Sequence, residues 1–328
     1  MLVVGLDIGY SNLKLVTGSS ERDARVLLQP AGAAPVSHLA EPVRAPEEAA
    51  GLRVQVDGRP WAAGLSPDRF EGWARPLHAD YPTTATYRAL FHAALLLSGA
   101  DRVDRLVTGL PVSQAHDSAR RRALQHALLG RQPVAPGHLV EVREVVVLPQ
   151  PVGAYVDLIW SSATPELLDR VERGSVLVLD AGFFSLDWTL IVRGELRRRA
   201  SGTTLEAMSV VLETAARLLA EDRGGQPCPG ALEEALHAGH PDLLVLGQKV
   251  TLAPYLARAA EAVAPVALES LRQALRRESA NLDVLLLVGG GASAYAAPIR
   301  ALFPETPTVT PRDTVTANAR GFFRYGLG

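Results

Sequence analysis

The sequence predicts an α/β protein of two lobes, and three observations carry that expectation. The chain's 328 residues suit two hydrophobic cores better than one. Apolar strands alternate with helical segments along most of it. An apolar strand that ends in an aspartate, a glycine turn and a returning strand occur together twice, at residues 2–17 and 176–192, which is a repeat of architecture.

In the first lobe, residues 2–7 are an apolar run ending at Asp7, Gly9-Tyr10-Ser11-Asn12 is a tight turn, and residues 13–17 return as a strand. Residues 30–85 are rich in Pro, Gly and Ala and read as a small irregular subdomain with one strand at 52–56, closed by the Asp57-Gly58 turn. A helix at 87–97, a short strand at 105–109, an amphipathic helix at 114–128 and a strand at 139–148 follow. Pro149-Gln150-Pro151 breaks that strand, and Pro151 suits the first turn of a helix through Ala154, Tyr155 and Leu158. The domains are therefore expected at 1–150 and 151–328.

In the second lobe, strands are expected at 175–180, 186–192 and 195–200, the last two joined by Arg193-Gly194, with a helix from Thr203 to Ala220. Residues 205–280 are rich in alanine and leucine and read as a helical insertion. A buried strand at 283–288 ends in Gly289-Gly290-Gly291, a helix follows at 293–302, and a terminal helix at 315–325 is expected to pack back towards the first lobe.

Composition excludes several function classes. A formal net charge of -2 gives no global pull onto nucleic acid or an anionic membrane, so no direct nucleic-acid partner is expected. The single cysteine, Cys228, rules out an internal disulfide framework and a thiolate zinc site. The opening residues lack the pattern of a signal peptide, and no stretch has the length of a membrane span, so a cytoplasmic protein is expected. His237 and His240, with Asp242 nearby, sit in a loop context without a third firm ligand, and no metal is assigned to them. The basic runs 120–122 and 197–199 read as solvated faces, with contact to a filament neighbour or partner as the alternative. No Ser-His-Asp or Cys-His signature points to nucleophilic catalysis.

Three features stand at strand ends: Asp7 with Gly9, Asp180 with Gly182 and Asp187, and the triplet Gly289, Gly290 and Gly291. Together they suit a nucleotide. A triphosphate carries about four negative charges, and tight glycine turns bring backbone N–H groups to its oxygens without obstruction by side chains. Aspartates at the adjoining strand ends can hold Mg²⁺ through its water ligands, because magnesium sheds water reluctantly. Asp7 and Asp180 are the candidates. The triplet before a helix gives adenosine a bare backbone to lie against.

At these residues the chain resembles the actin, sugar-kinase and large heat-shock chaperone superfamily. Leu6-Asp7-Ile8-Gly9-Tyr10-Ser11-Asn12-Leu13-Lys14 is similar to its first phosphate motif, Asp180-Ala181-Gly182-Phe183-Phe184-Ser185-Leu186-Asp187 to its second, and Leu287-Val288-Gly289-Gly290-Gly291-Ala292 to its adenosine motif. Pro149-Gln150-Pro151-Val152-Gly153-Ala154 resembles the connecting helix. Within the superfamily, Thr108-Gly109-Leu110-Pro111-Val112-Ser113 and Ala317-Asn318-Ala319-Arg320-Gly321-Phe322 resemble the prokaryotic ParM and archaeal actin-like group.

The resemblance implies an actin-like two-lobed fold of two ribonuclease-H-like domains with a nucleotide cleft between them. It implies ATP/ADP and Mg²⁺ as cofactors, slow hydrolysis, and Gln150 as the residue orienting the attacking water. Phosphate contacts would come from Gly9, Tyr10, Ser11, Asn12, Lys14, Gly182, Phe183, Phe184, Ser185 and Asp187. Adenosine would lie at Gly289, Gly290, Gly291 and Ala292, with Glu213 a candidate for the ribose or simply a surface charge. Lys14 could instead be a strand residue facing solvent. Many relatives carry a glycine and a threonine where this chain has Phe184 and Ser185. Phe184 then either packs under the loop or changes phosphate contact.

The implied function is a head-to-tail filament that separates plasmid or other DNA copies, with a DNA-bound adaptor protein as a possible partner. The rivals are a non-polymerising ATP-dependent switch that docks a partner, and a small-molecule kinase of the same fold.

Overall fold

The computed structural model describes residues 1–41, 51–73, 75–162, 164–276 and 281–328. The chain packs into two units, Met1–Ser162 with Val315–Gly328, and Ala163–Thr314.

Unit 1 runs through β1 (Val3–Ile8), β2 (Asn12–Gly18), β3 (Arg25–Pro30), β4 (Gly32–Pro35), β5 (Leu52–Val56), β6 (Arg59–Leu65), α1 (Ala85–Ser98), β7 (Arg102–Val103) and β8 (Arg105–Leu110). It continues with α2 (Val112–Ala115), α3 (Ser118–Leu128), β9 (Gly130–Ala135), β10 (His138–Val142), β11 (Val145–Pro149) and α4 (Gln150–Ser161), and the C-terminal helix Ala317–Leu327 completes it. Its main sheet has the order β11-β8-β1-β2-β3. The first three strands in sequence are antiparallel neighbours, and β8 and β11 add in parallel. Strand β1 is buried along its whole length because both faces are covered. Tyr87, Leu90, Phe91 and Leu95 of α1 join Leu6, Leu13 and Leu15 in one core, while Ala319 and Phe323 of the C-terminal helix pack with Val3 and Val16. Gly5 permits that approach, since a Cβ there would collide with the backbone of Ala319 and Phe323.

Four expectations change in this unit. The strand expected at 139–148 is two strands in different sheets, β10 beside β7 and β9, and β11 beside β8. The exposed charges of Arg143 and Glu144 stand where the chain leaves one sheet for the other. The helix expected at 114–128 breaks at His116-Asp117, where the Asp117 carboxylate caps α3 by accepting from the N–H groups of Ala119 (2.8 Å) and Arg120 (3.3 Å). The small subdomain carries a three-stranded sheet, β4-β6-β5, in place of one strand. Its residues 42–50 and 74 lie outside the described residues. The domain division expected at 150/151 falls one helix later, at Ser162, because α4 packs along the C-terminal helix.

Unit 2 contains α5 (Pro165–Arg173), β12 (Ser175–Ala181), β13 (Leu186–Val192), β14 (Glu195–Leu196), β15 (Gly202–Thr204), α6 (Met208–Arg223), α7 (Pro229–His237), β16 (Asp242–Val245), β17 (Gln248–Thr251), α8 (Ala253–Leu275), β18 (Val284–Val288), α9 (Ala292–Leu302) and β19 (Thr308–Val309). Its sheet has the order β14-β13-β12-β18-β19, with β15 also on β13. Here too an antiparallel hairpin series comes first and two parallel strands add beside its first member. The repeat read from sequence is therefore a repeat of sheet topology. Leu177, Leu179, Trp188, Leu285 and Leu287 form the core with Leu268 and Leu271 of α8 and Tyr295 and Ile299 of α9.

The strand expected at 195–200 is only the two residues of β14, followed by a 3₁₀ turn over Arg198–Ala200. The chain curls there around Trp188, whose Nε1 donates to the Ala200 carbonyl at 3.0 Å, and a Cβ on Gly202 would strike the indole ring. Thr203 belongs to β15, so the helix expected from that residue begins at Met208. The insertion is not wholly helical, because the β16–β17 hairpin, turning on Leu246 and Gly247 at positive φ, lies between α7 and α8. It holds its own core around Leu212, Leu219, Leu232, Tyr255 and Val263. Residues 277–280 lie outside the described residues. Among the described residues no helix is long and apolar enough to cross a membrane.

Candidate functional site

The first hairpin tip is held by charged and amide groups. Strand register places Asp7 opposite Lys14. The Lys14 Nζ lies 3.0 Å from Asp7 Oδ2, and the Gln150 Nε2 donates to Asp7 Oδ1 at 3.1 Å. Both oxygens of this carboxylate, only 3% exposed, are thus engaged. A buried charge requires such partners. Gln150 reaches Asp7 from the first residue of α4, which Pro149 and Pro151 start sharply after β11. Lys14 is consequently tied to the carboxylate and does not face solvent. Gly9 makes room for it, since a Cβ on Gly9 would stand 2.9 Å from the Lys14 Nζ. The Gly9 N–H donates to the Asn12 carbonyl at 2.9 Å and closes the turn.

Between these turn residues, Tyr10 stacks on Tyr81 with ring centroids 4.4 Å apart, and its hydroxyl donates to the His78 carbonyl at 2.8 Å. Tyr81 in turn meets Tyr87 edge-on at 5.5 Å. Burial pushes the phenol pKa of both Tyr81 and Tyr87 well up, so both stay neutral and act as packing beneath the turn. Nothing in the spacing of Tyr81 marks it in sequence, because it reaches the loop across 71 positions of chain from Tyr10.

The second hairpin tip is held by hydroxyls and backbone. Asp180 and Asp187 are opposite each other in the register of β12 and β13, 8% and 2% exposed. Ser185 Oγ donates to one oxygen of Asp187 at 2.7 Å and Thr203 Oγ1 to the other at 2.6 Å. The Gly182 N–H donates to the Ser185 carbonyl at 2.9 Å. The carbonyls of Gly182 and Phe183 accept from the N–H groups of Met208 (3.3 Å) and Ser209 (2.8 Å), so the loop caps the start of α6. Phe183 packs against the core of the insertion, and Phe184 is half-buried.

The glycine triplet closes around the same loop. Gly289 has φ +91°, and a Cβ there would hit the Ala181 carbonyl and lie 2.6 Å from Asp180 Oδ1. The Gly291 N–H donates to the Ala181 carbonyl at 2.8 Å. A Cβ on Gly290 would meet nothing within 4 Å, so this position opens onto free space. Ala292 begins α9 and is buried, whereas Glu213 is exposed on α6.

The structure thus gathers Asp7, Gly9, Tyr10, Lys14 and Gln150 in unit 1, and Asp180, Gly182, Ser185, Asp187, Gly289 and Gly291 in unit 2. Sequence reading missed Thr203, Tyr81 and Met208. Among the described residues no group of three or more His, Cys, Asp or Glu side chains could hold a metal ion. A hydrated cation would fit beside Asp7, each of whose oxygens keeps a second lone pair beside the one it gives Lys14 or Gln150.

Twin sheets of one topology, each with an aspartate and a glycine turn at the end of its first strand, are the arrangement of the actin-like fold. Residues 5–153 match the model of the family described as actin like proteins N terminal domain. A crystal structure of Ta0583, an archaeal actin homolog, is 21% identical, with 99% of each chain covered and a TM-score of 0.77. The same homolog in complex with ADP gives 20% identity, 99% of each chain and 0.76. A 15-stranded ParM filament from Clostridium botulinum gives 14% identity, 99% of this chain, 98% of that chain and 0.71. No curated protein matches the sequence. Residues 5–153 are thus similar to an actin-like N-terminal domain, and the whole chain has the actin-like fold.

Proposed function

We propose that this chain binds Mg-ATP through its phosphate loops and hydrolyses it slowly to ADP and phosphate. The observation that carries the reading is the buried Asp7 carboxylate, fixed between Lys14 and Gln150 at the tip of the first hairpin. The existence of an ADP complex of the archaeal actin homolog supports it.

In this reading the backbone N–H groups of the two turns bind phosphate oxygens, and Lys14 neutralises charge beside them. Gly290 leaves the space in which the adenosine lies. Asp7 and Asp180 would hold Mg²⁺ through its waters; when bound, the ion neutralises phosphate charge. The Gln150 amide spends its Nε2 on Asp7, which leaves its carbonyl oxygen to accept from the attacking water. Water attacks the γ-phosphorus in line, a P–O bond forms, and the bond to the β-phosphate oxygen breaks. The proton leaves with the products. Turnover with no added acceptor separates this reaction from that of a small-molecule kinase.

The finer reading is a nucleotide-dependent, head-to-tail filament that segregates plasmid or other DNA copies through a DNA-bound adaptor, in the cytoplasm. The solved ParM filament supports the assembly part. A repeating heterologous contact that does not close gives a filament, and the γ-phosphate is the group whose loss can switch it. Pelleting across a protein concentration series with ATP, a slowly hydrolysed analogue and ADP tests this. Filaments should appear at lowest concentration with the analogue or ATP. Protein that binds ATP yet stays in the supernatant throughout would replace the filament by a partner-docking switch.

A further inference from the structure

Two sequence motifs remain without a role in the loops: Thr108-Gly109-Leu110-Pro111 at the end of β8 and the C-terminal run Ala317-Asn318-Ala319-Arg320-Gly321-Phe322. Both converge on the start of α4, the helix that carries Gln150. Asn318 is 4% exposed, and its Oδ1 accepts from the Ala154 N–H at 3.2 Å. Ala154 is the fifth residue of α4, so its N–H lies one turn beyond Gln150, beside the Gln150 carbonyl that it faces within the helix. Gly321 lets the two helices touch, because a Cβ there would run into the Gly153 carbonyl. A Cβ on Gly153 would in turn stand 2.6 Å from the Asn318 carbonyl oxygen.

Gly109, at the end of β8, supplies the floor. A Cβ on Gly109 would lie 2.6 Å from the Phe322 ring and 2.8 Å from the Gln150 Cγ, so the ring and the glutamine stem lie side by side over this glycine. One turn further along, Arg320 and Arg324 fix the pair of helices. Arg320 Nη2 is 2.7 Å and Arg324 Nη1 2.6 Å from the two oxygens of Asp157, which is 2% exposed on α4. Arg324 also reaches Glu21 at 3.0 Å.

We propose that Asn318, Phe322 and Gly109 are positioning residues for Gln150, the C-terminal helix acting as a splint that sets where the amide points. The inference rests on the reading of Gln150 as the residue that orients water, and adds what holds it. The physical need is plain: Gln150 has three rotatable bonds, and one hydrogen bond to Asp7 does not fix the far end of its amide. A splint that confines the stem does, and displacing a positioned group by about 1 Å can cost on the order of a hundredfold in rate.

The test uses the full chain with Asn318→Ala, Asn318→Asp and Gly109→Ala. Two readouts are taken: ATP turnover split into kcat and KM, and the ¹⁵N side-chain amide signal of Gln150, identified by its loss in Gln150→Ala. Asn318→Ala and Gly109→Ala should each lower kcat about 10- to 100-fold with KM for ATP within about twofold, and should move the amide signal. Asn318→Asp keeps an oxygen that accepts from the Ala154 N–H and should restore kcat and the signal. Folded Asn318→Ala and Gly109→Ala proteins with wild-type kcat and an unmoved signal overturn the inference. So does an Asn318→Asp protein that behaves like Asn318→Ala. Should Asn318→Ala not fold, Gly109→Ala and Asn318→Asp decide by the same two readouts. If the wild-type chain turns over no ATP, the hydrolytic reading fails by itself and the amide signal alone decides whether the splint exists.

Discussion

The two hairpins solve one problem with different chemistry. Each brings an aspartate to the end of the first strand of its sheet and must keep a buried carboxylate satisfied. In unit 1, a lysine from the returning strand and an amide from a helix start hold Asp7. In unit 2, two hydroxyls hold Asp187, Asp180 stands against the glycine triplet, and the loop's carbonyls cap α6. The charged tie makes the first loop sensitive to whatever competes for its lysine. The second loop is bound instead to the helical insertion, so a change at its backbone is felt at the start of α6.

That contrast can be broken at several points. The largest effect expected is at Asp180: Asp180→Ala should lower phosphate release on the order of a hundredfold or more while a fluorescent ATP analogue still binds, because the carboxylate serves the reacting phosphate more than the adenosine. Turnover at the wild-type rate would remove Asp180 from the chemistry. Next comes Lys14→Met, which leaves Asp7 buried beside one amide. Breaking a buried pair in this way should cost about 3 kcal/mol or more in denaturant unfolding.

Within the glycine triplet the two neighbours should part company. Gly289→Ala forces a side chain into positive φ against the Ala181 carbonyl and should destabilise by about 1–3 kcal/mol. Gly290→Val points into open space and should leave the melting temperature unchanged, yet abolish binding of the ATP analogue. A Gly290→Val protein that binds normally would place the adenosine elsewhere. The smallest effect is at Ser185→Ala, which removes one of two hydroxyls on Asp187 and should cost about 1 kcal/mol. If Lys14→Met and Ser185→Ala cost the same, the distinction between a charged tie and a hydroxyl tie is lost.

The hairpins were legible because the information is local. A strand, a carboxylate, a turn glycine and a returning strand lie within about ten residues, so residue order alone sets the register that pairs Asp7 with Lys14 and Asp180 with Asp187. What was illegible depends on distant partners. Residues 139–148 read as one strand, and only the competing sheets separate β10 from β11 at Arg143-Glu144. Strands β4 and β6 are built largely from alanine, glycine and proline, whose strand preference is weak, and tertiary pairing overrides it. Thr203 meets Asp187 across 16 residues because the chain bends around Trp188, and Asn318 meets Ala154 across 164. No spacing rule reaches that far. The C-terminal motif could be recognised as a resemblance, but only the structure shows that it packs on α4.

The central claim is that Gln150, tied to Asp7, orients the water that attacks bound ATP. Its most direct test compares ATP affinity and single-turnover phosphate release, with Mg²⁺ present, in the wild-type chain and in Gln150→Ala. The account predicts unchanged affinity and hydrolysis slowed at least about tenfold in the variant, since the amide meets the water and not the nucleotide. Hydrolysis as fast as wild type, or a large loss of ATP affinity, would contradict it.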